Sequence, residues 1–262
     1  MEGLLAPETR DYTGTPDDQL VVVAYCHYGT ILDAFADCVL ALYQYDREHG
    51  RHWDVLIKNK GPYIAMSRNE IVDGFLKNTF AHWLLFLDND VTFPMTVFED
   101  LLALADPKEV PILAGLYLTP LNVNPDDPSV TEYLPAWTYD GGYERAPVRS
   151  VDFREPLMEL HSCGMGCTLI HRSVLEAMRD AHEPQDDGWK WFNHDLLPAG
   201  KNGQEVGRCG EDITFCVRAR KLGFKIHGTP NVRCGHIKSH HLHPLSYFQA
   251  RSPTIESSAI GA

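Results

Sequence analysis

The sequence predicts an α/β fold: a mostly parallel central sheet flanked by helices, with a small antiparallel part. Three observations predict it. Short apolar runs at 20–25 (LVVVAY), 82–87 (HWLLFL) and 112–118 (ILAGLYL) have the length and composition of strands buried on both faces. Stretches carrying helix start and stop signals lie between them, and such alternation makes parallel sheets with helices on both faces. Residues 120–156 break the alternation, being rich in Pro, Asp, Gly and Tyr, and predict loops with short antiparallel pieces.

The elements follow in order. Residues 1–18 are polar with two prolines and read as a leader. After the strand at 20–25 a helix is expected over 31–48, with Gly50 as its stop, and then a strand at 53–57. Ser67-Arg68-Asn69-Glu70 has capping-box spacing, so a helix should run from there to Asn78. The strand at 82–87 ends abruptly at Asp88-Asn89-Asp90. Pro94 suits the first turn of a helix through Ala105, and a strand covers 112–118. Order returns over 158–170. Ser173-Val174-Leu175-Glu176 is a second capping-box candidate, opening a helix toward Asp180. Residues 182–209 read as a long loop around Trp189, Lys190, Trp191 and Phe192. A helix spans 211–222 with Gly223 at its end, and a short strand and turn lead to Cys234-Gly235-His236. No internal repeat occurs, so residues 19–250 read as one domain and 251–262 as a flexible tail.

Composition excludes several classes. Among 262 residues, 23 basic and 36 acidic side chains give a formal charge of −13, which disfavours bulk nucleic-acid binding. At 44% hydrophobic the chain has enough apolar surface for a core and is not disordered. No apolar stretch is long enough to span a bilayer, so no membrane anchor is expected. Seven cysteines, an odd number, and an N-terminus without secretory features point to reduced thiols and a cytoplasmic location. No Cys-x-x-Cys pair occurs; Cys209 and Cys234 with nearby histidines leave a mixed zinc site open.

Five segments carry chemistry. Asp88 and Asp90 follow a buried strand, and if extended geometry persists both carboxylates point one way, at the sheet edge where open α/β folds bind ligands. Their repulsion would be relieved by Mg²⁺ or Mn²⁺; a solvated turn is the plainer alternative. Glu211 and Asp212 open a helix, where acidic residues pair with the dipole or, alternatively, one acts as a general base whose strength the dipole would lower. His236 is a candidate metal ligand or a structural histidine, and His240, His241 and His243 read as a solvated tail. Gly164 and Gly166 flank Met165 before a strand, where they allow close approach of a ligand or mark a bulge. Arg68 and Asn69, at a helix N-terminus, suit a diphosphate or a surface capping box.

In this order the segments SRNEIVDGFLKNTFAHWLLFLDNDVTFP, SCGMGCTLIHRSVLEAM and GEDITFCVRARKLGFKIHGTPNVRCGHI resemble the GT-A glycosyltransferases, especially family-two-like enzymes and their small phage and bacterial members. The resemblance spans about residues 20–240. It implies a GT-A, Rossmann-like fold and transfer of a sugar from a nucleotide-sugar donor, UDP- or GDP-linked, to an acceptor hydroxyl. It implies Asp88, Asp90 and His236 as ligands of Mn²⁺ or Mg²⁺, with Asp212 as base beside Glu211. Donor contacts are implied for Tyr25, Cys26, His27, Arg68, Asn69, Asp88, Asn89, Gly164 and Gly166. Trp191, in the 182–209 loop, is expected to close over the donor. One departure is that Leu118-Thr119-Pro120 stands where related small members often place basic residues. A metal-dependent nucleotidyl transferase or hydrolase on a related α/β fold is the alternative, and a non-catalytic sugar-binding module a third reading.

Overall fold

The computed structural model describes residues 19–50, 52–122, 131–139, 146–182, 191–194 and 210–238. The expected leader and tail, the His-rich stretch after residue 238, Trp189, Lys190 and Cys209 lie outside the described residues. In chain order, β1 (Val21–His27) leads to α1 (Asp33–His49), β2 (Trp53–Lys60) to α2 (Ile64–Asn78), and β3 (Trp83–Leu87) to β4 (Val91–Thr92) and α3 (Val97–Leu102). Then come β5 (Ile112–Leu116), β6 (Leu118–Asn122), β7 (Thr131–Pro135), β8 (Trp137–Tyr139), β9 (Ala146–Pro147), β10 (Met158–Leu160), β11 (Ser162–Cys163) and β12 (Cys167–His171). The chain continues through α4 (Arg172–Asp180), α5 (Glu211–Lys221), β13 (Ile226–Arg233) and β14 (Gly235–His236).

Seven strands form the central sheet in the order β10-β13-β5-β12-β3-β1-β2. Strands β2, β1, β3, β5 and β13 run one way; β12 and β10 run against them. Short antiparallel pairs, β6 with β7 and β8 with β9 and β11, occupy the Pro/Gly-rich region. The α/β architecture expected from the sequence is therefore the one observed.

Successive residues of a strand face opposite sides, so each apolar run feeds two cores. Val22, Ala24, Leu84 and Phe86 meet Ile71 and Phe75 of α2, Leu175 of α4 and Phe215 of α5. Val21, Val23, Leu85 and Leu87 meet Phe35 and Leu42 of α1 and Phe98 and Leu101 of α3. Each fully buried side chain of this size contributes roughly 1.5–3 kcal/mol. Among the described residues no helix is long and apolar enough to cross a membrane.

Both capping boxes are corrected. Helix α2 begins at Ile64, so Ser67 and Arg68 lie inside it, and Tyr63 precedes it without a side-chain cap. The buried stripe Ala65, Arg68, Ile71, Val72 and Phe75 extends the helix N-terminally, because packing on the sheet outweighs the local cap. In α4 the cap is His171, whose Nδ1 accepts the Ser173 N–H at 3.3 Å; Ser173 is not the cap. Helix α3 is shorter than expected, and the strand at 112–118 divides at Tyr117, where β6 departs to pair with β7.

Candidate active site

Strand β3 delivers Asp88 to the sheet edge, but the chain does not stay extended. The Val91 N–H donates back to the Asp88 carbonyl at 3.0 Å, closing a turn over Asn89 and Asp90. The two carboxylates therefore part, and the expectation that they converge on one cation is corrected. Asp88 turns toward α2 and α5, and Asp90 toward β14. The turn is held from three sides. Asp88 N–H donates to Gly166 O at 3.0 Å and Asn89 Nδ2 to Thr30 O at 3.1 Å. Ile237 N–H donates to Asp90 O at 2.7 Å.

The first cluster centres on Arg68, which is only 2% exposed. Its guanidinium donates to Asp88 Oδ1 at 2.8 Å and pairs with Glu211 Oε1, and lies 5.9 and 5.7 Å from the ring centres of Phe86 and Phe192. Burial opposes its charge, but Asp88 and Glu211 more than offset this and its pKa rises. Cys26, at the end of β1, lies in the same field; burial above all pushes its thiol up to about 12, so it is no nucleophile at neutral pH. Arg68 is thus enclosed rather than laid out for a diphosphate, and being within α2 it shares no free helix N–H groups with a ligand.

Gly210 precedes α5, so Glu211 and Asp212 stand in its first turn. Arg68 ties up Glu211, and His194 Nε2 lies 3.9 Å from its other oxygen. Asp212 makes no ion pair among the described residues. Its Oδ1 accepts the Ile213 N–H at 2.7 Å. Burial first, then the Glu211 charge, raise its pKa, outweighing the opposing pull of Arg68 and of that N–H. The helix terminus, which alone would weaken Asp212 as a base, is therefore overruled by its surroundings.

The second cluster lies on the other side of the turn. His236 Nδ1 is 2.6 Å from the Leu118 carbonyl, an acceptor only, so this nitrogen carries the ring proton. His236 Nε2 then faces Asp90 Oδ2 at 3.3 Å, and Lys238 Nζ donates to the same oxygen at 2.8 Å. An imidazole fixed by a backbone carbonyl, with its other nitrogen beside a carboxylate, is a donor set that fits a divalent cation. Asp88 does not join it, and among the described residues no group of three or more His, Cys, Asp or Glu side chains is placed to hold a metal.

Tyr117 joins the two halves, and the sequence reading missed it. Its ring meets His236 edge-on at 5.2 Å, and its hydroxyl accepts the Gly166 N–H at 3.2 Å. Burial, then Asp88, raise its pKa well above the ordinary value. A Cβ on Gly164 would sit 2.1 Å from the Tyr117 hydroxyl, and one on Gly166 2.8 Å from its ring. The close approach read from these glycines is thus to Tyr117. Both glycines stand in the bend between β11 and β12, and two missing side chains there are the signal that something large fills the space.

Other expected donor contacts point elsewhere. Tyr25 packs edge-on against Phe35 in the core. His27 Nδ1 accepts the Gly29 N–H, and burial with Lys58 and Lys60 lowers its pKa. Asn69 donates to the carbonyls of Ala65 and Phe192 and accepts the Trp191 N–H at 3.1 Å. Trp191 is buried, its indole N–H on Leu175 O at 2.8 Å, while Phe192 stacks on Phe215. These two aromatics anchor their segment in the core, so Trp191 is not a sugar platform here.

No family model matches the chain, and no curated protein matches its sequence. Among solved structures, A197 from STIV is similar at 16% identity and TM-score 0.48, over 84% of this chain and 86% of that one. GalNAc-T7, solved with UDP, GalNAc and Mn²⁺, is similar at 12% identity and TM-score 0.48, over 84% of this chain but 44% of that one. A glycosyltransferase involved in glycosylation of the major capsid of PBCV-1 is similar at 12% identity and TM-score 0.34, over 65% and 72%. Likeness this remote carries no argument about family or substrate.

Proposed function

We propose that the protein is a glycosyltransferase that moves a sugar from a UDP- or GDP-linked donor to a hydroxyl-bearing acceptor. One observation carries the reading. A carboxyl with a raised pKa, Asp212, and a carboxylate–imidazole pair, Asp90 and His236, flank one strand-end turn at the edge of the sheet. The order of the sequence motifs supports the same reading.

Asp90 Oδ2 and His236 Nε2 are the groups that would hold Mn²⁺ or Mg²⁺, which would neutralise charge on the leaving diphosphate. Asp212 acts as base. The acceptor oxygen bonds to the anomeric carbon as the bond to the diphosphate oxygen breaks, and the acceptor proton passes to Asp212 Oδ2, since Oδ1 is engaged by Ile213 N–H. Direct attack of this kind inverts the anomeric centre. Arg68 keeps Glu211 and Asp88 paired, so that Asp212 is the carboxyl left for proton transfer.

A panel of nucleotide-sugars, incubated with the protein and Mn²⁺ and assayed for nucleoside diphosphate release, tests the reading. Release from at least one donor is expected, abolished by Asp212→Asn with donor binding retained. Absence of both binding and turnover across the panel counts against it, and release of pyrophosphate would favour a nucleotidyl transferase.

A further inference from the structure

We propose that Lys238 is a resident counter-ion of the metal site: its ammonium holds Asp90 until a divalent ion arrives, then moves to the donor's diphosphate. The inference rests on the reading above. A single oxygen, Asp90 Oδ2, lies between two nitrogens, Lys238 Nζ at 2.8 Å and His236 Nε2 at 3.3 Å. Because His236 Nδ1 is committed to the Leu118 carbonyl, Nε2 is the ring nitrogen that faces that oxygen.

A cation held by Asp90 and His236 would need the oxygen that Lys238 holds. Two positive groups compete for one ligand, so the ion binds against the lysine. Lys238 can yield: its side chain is 40% exposed, on the segment just beyond β14. It also lines a cleft of about 340 Å³ together with Leu118, Pro120, Tyr133 and His236. Those walls are mainly apolar, and Lys238 is the lysine among the lining residues. Released from Asp90, its ammonium would remain on the wall of the cleft it shares with His236, as a positive charge for a diphosphate bound there. A lysine serves here as a mobile point charge, which a planar guanidinium would not match.

The two ligands should respond to its loss with opposite sign. In Lys238→Met, Mn²⁺ alone, followed by calorimetry, is expected to bind roughly twofold to fivefold more tightly than in wild type, because a competing ion pair is gone. UDP and GDP, titrated in saturating Mn²⁺, are expected to bind at least about tenfold more weakly, because a charge-assisted contact is gone. Lys77→Met, which removes the same charge from a surface pair on α2, should change neither. Asp90→Asn should lose Mn²⁺ binding. If Lys238→Met moves both affinities in one direction, or behaves like Lys77→Met, the exchange is overturned while the metal site stands. If neither wild type nor Lys238→Met binds Mn²⁺, the metal-dependent reading falls and the exchange falls with it.

Discussion

Gly164→Ala tests whether the glycine-rich segment serves Tyr117. The added methyl would lie 2.1 Å from the Tyr117 hydroxyl, 3.2 Å from Cζ and 3.5 Å from Ala136 Cβ. The first contact is impossible, the second tight and the third ordinary. The phenol must swing out or the link between β11 and β12 must move, and overpacking of this kind costs about 1–3 kcal/mol. Tyr117→Phe removes the offending oxygen and leaves the ring carbon at 3.2 Å. Alone, it also strips the Gly166 N–H of its acceptor, at about 1–3 kcal/mol. The double variant should therefore be more stable than the sum of the singles by about 1–2 kcal/mol. Gly166→Ala supplies the contrast: its methyl meets ring carbons at 2.8 and 2.9 Å, which Tyr117→Phe does not remove. Urea denaturation of the ligand-free protein reads all five variants. A Gly164→Ala protein as stable as wild type, or equal rescue at both glycines, would refute the packing argument.

The remaining predictions concern charge. Asp212→Asn should lower turnover by about 10²–10⁴-fold and raise the melting temperature. The raised pKa means the native state favours the protonated carboxyl, so stability is fully present below the unfolded pKa and lost as pH rises through the folded one. The gain in melting temperature should accordingly be larger at pH 8 than at pH 5, and a variant less stable than wild type at pH 8 would count against the sign. Arg68→Met leaves Asp88 and Glu211 without their buried cation and should cost about 3–5 kcal/mol in urea denaturation; a loss below 1 kcal/mol, roughly the worth of a surface pair, would show that the pairing is not effectively buried. His171 is held down to about 4 by burial, with His82 and Arg172 adding to it. Its neutral ring caps α4, so stability should fall as pH drops from about 6.5 through about 4. A fully shielded shift of this size corresponds to about 3 kcal/mol; the half-exposed ring reduces this to about 1–2 kcal/mol. His171→Asn keeps a capping group without the titration, and its stability should be flatter across that window; an unchanged slope would assign the loss to other groups.

Burial of apolar runs was legible because it is written locally. The runs at β1, β3 and β5 are apolar at every position, and only a strand covered on both faces accommodates that. Glu211-Asp212 at a helix start and Gly223 at its end were legible for the same reason, and Gly223 does adopt the left-handed conformation, φ 88°. The capping boxes misled because a four-residue match is a weak local signal. At Ser67 a stripe of sheet contacts over three turns opposed it, and at Ser173 a histidine two residues earlier took the role.

The sequence by itself determined the class of fold, the edge at which polar residues gather and the identity of the groups there, since these follow from the period and sign of short segments. Only the tertiary structure decided which of those groups meet. One backbone hydrogen bond, Val91 N–H to Asp88 O, turns two carboxylates two residues apart toward different partners. Arg68 finds Glu211 143 positions away, Lys238 finds Asp90 148 positions away, and Tyr117 fills a space left by two missing side chains on the link between β11 and β12. A carboxylate's direction depends on turn dihedrals, and its protonation on charges and burial brought from distant elements, so neither is encoded in the tripeptide that carries it.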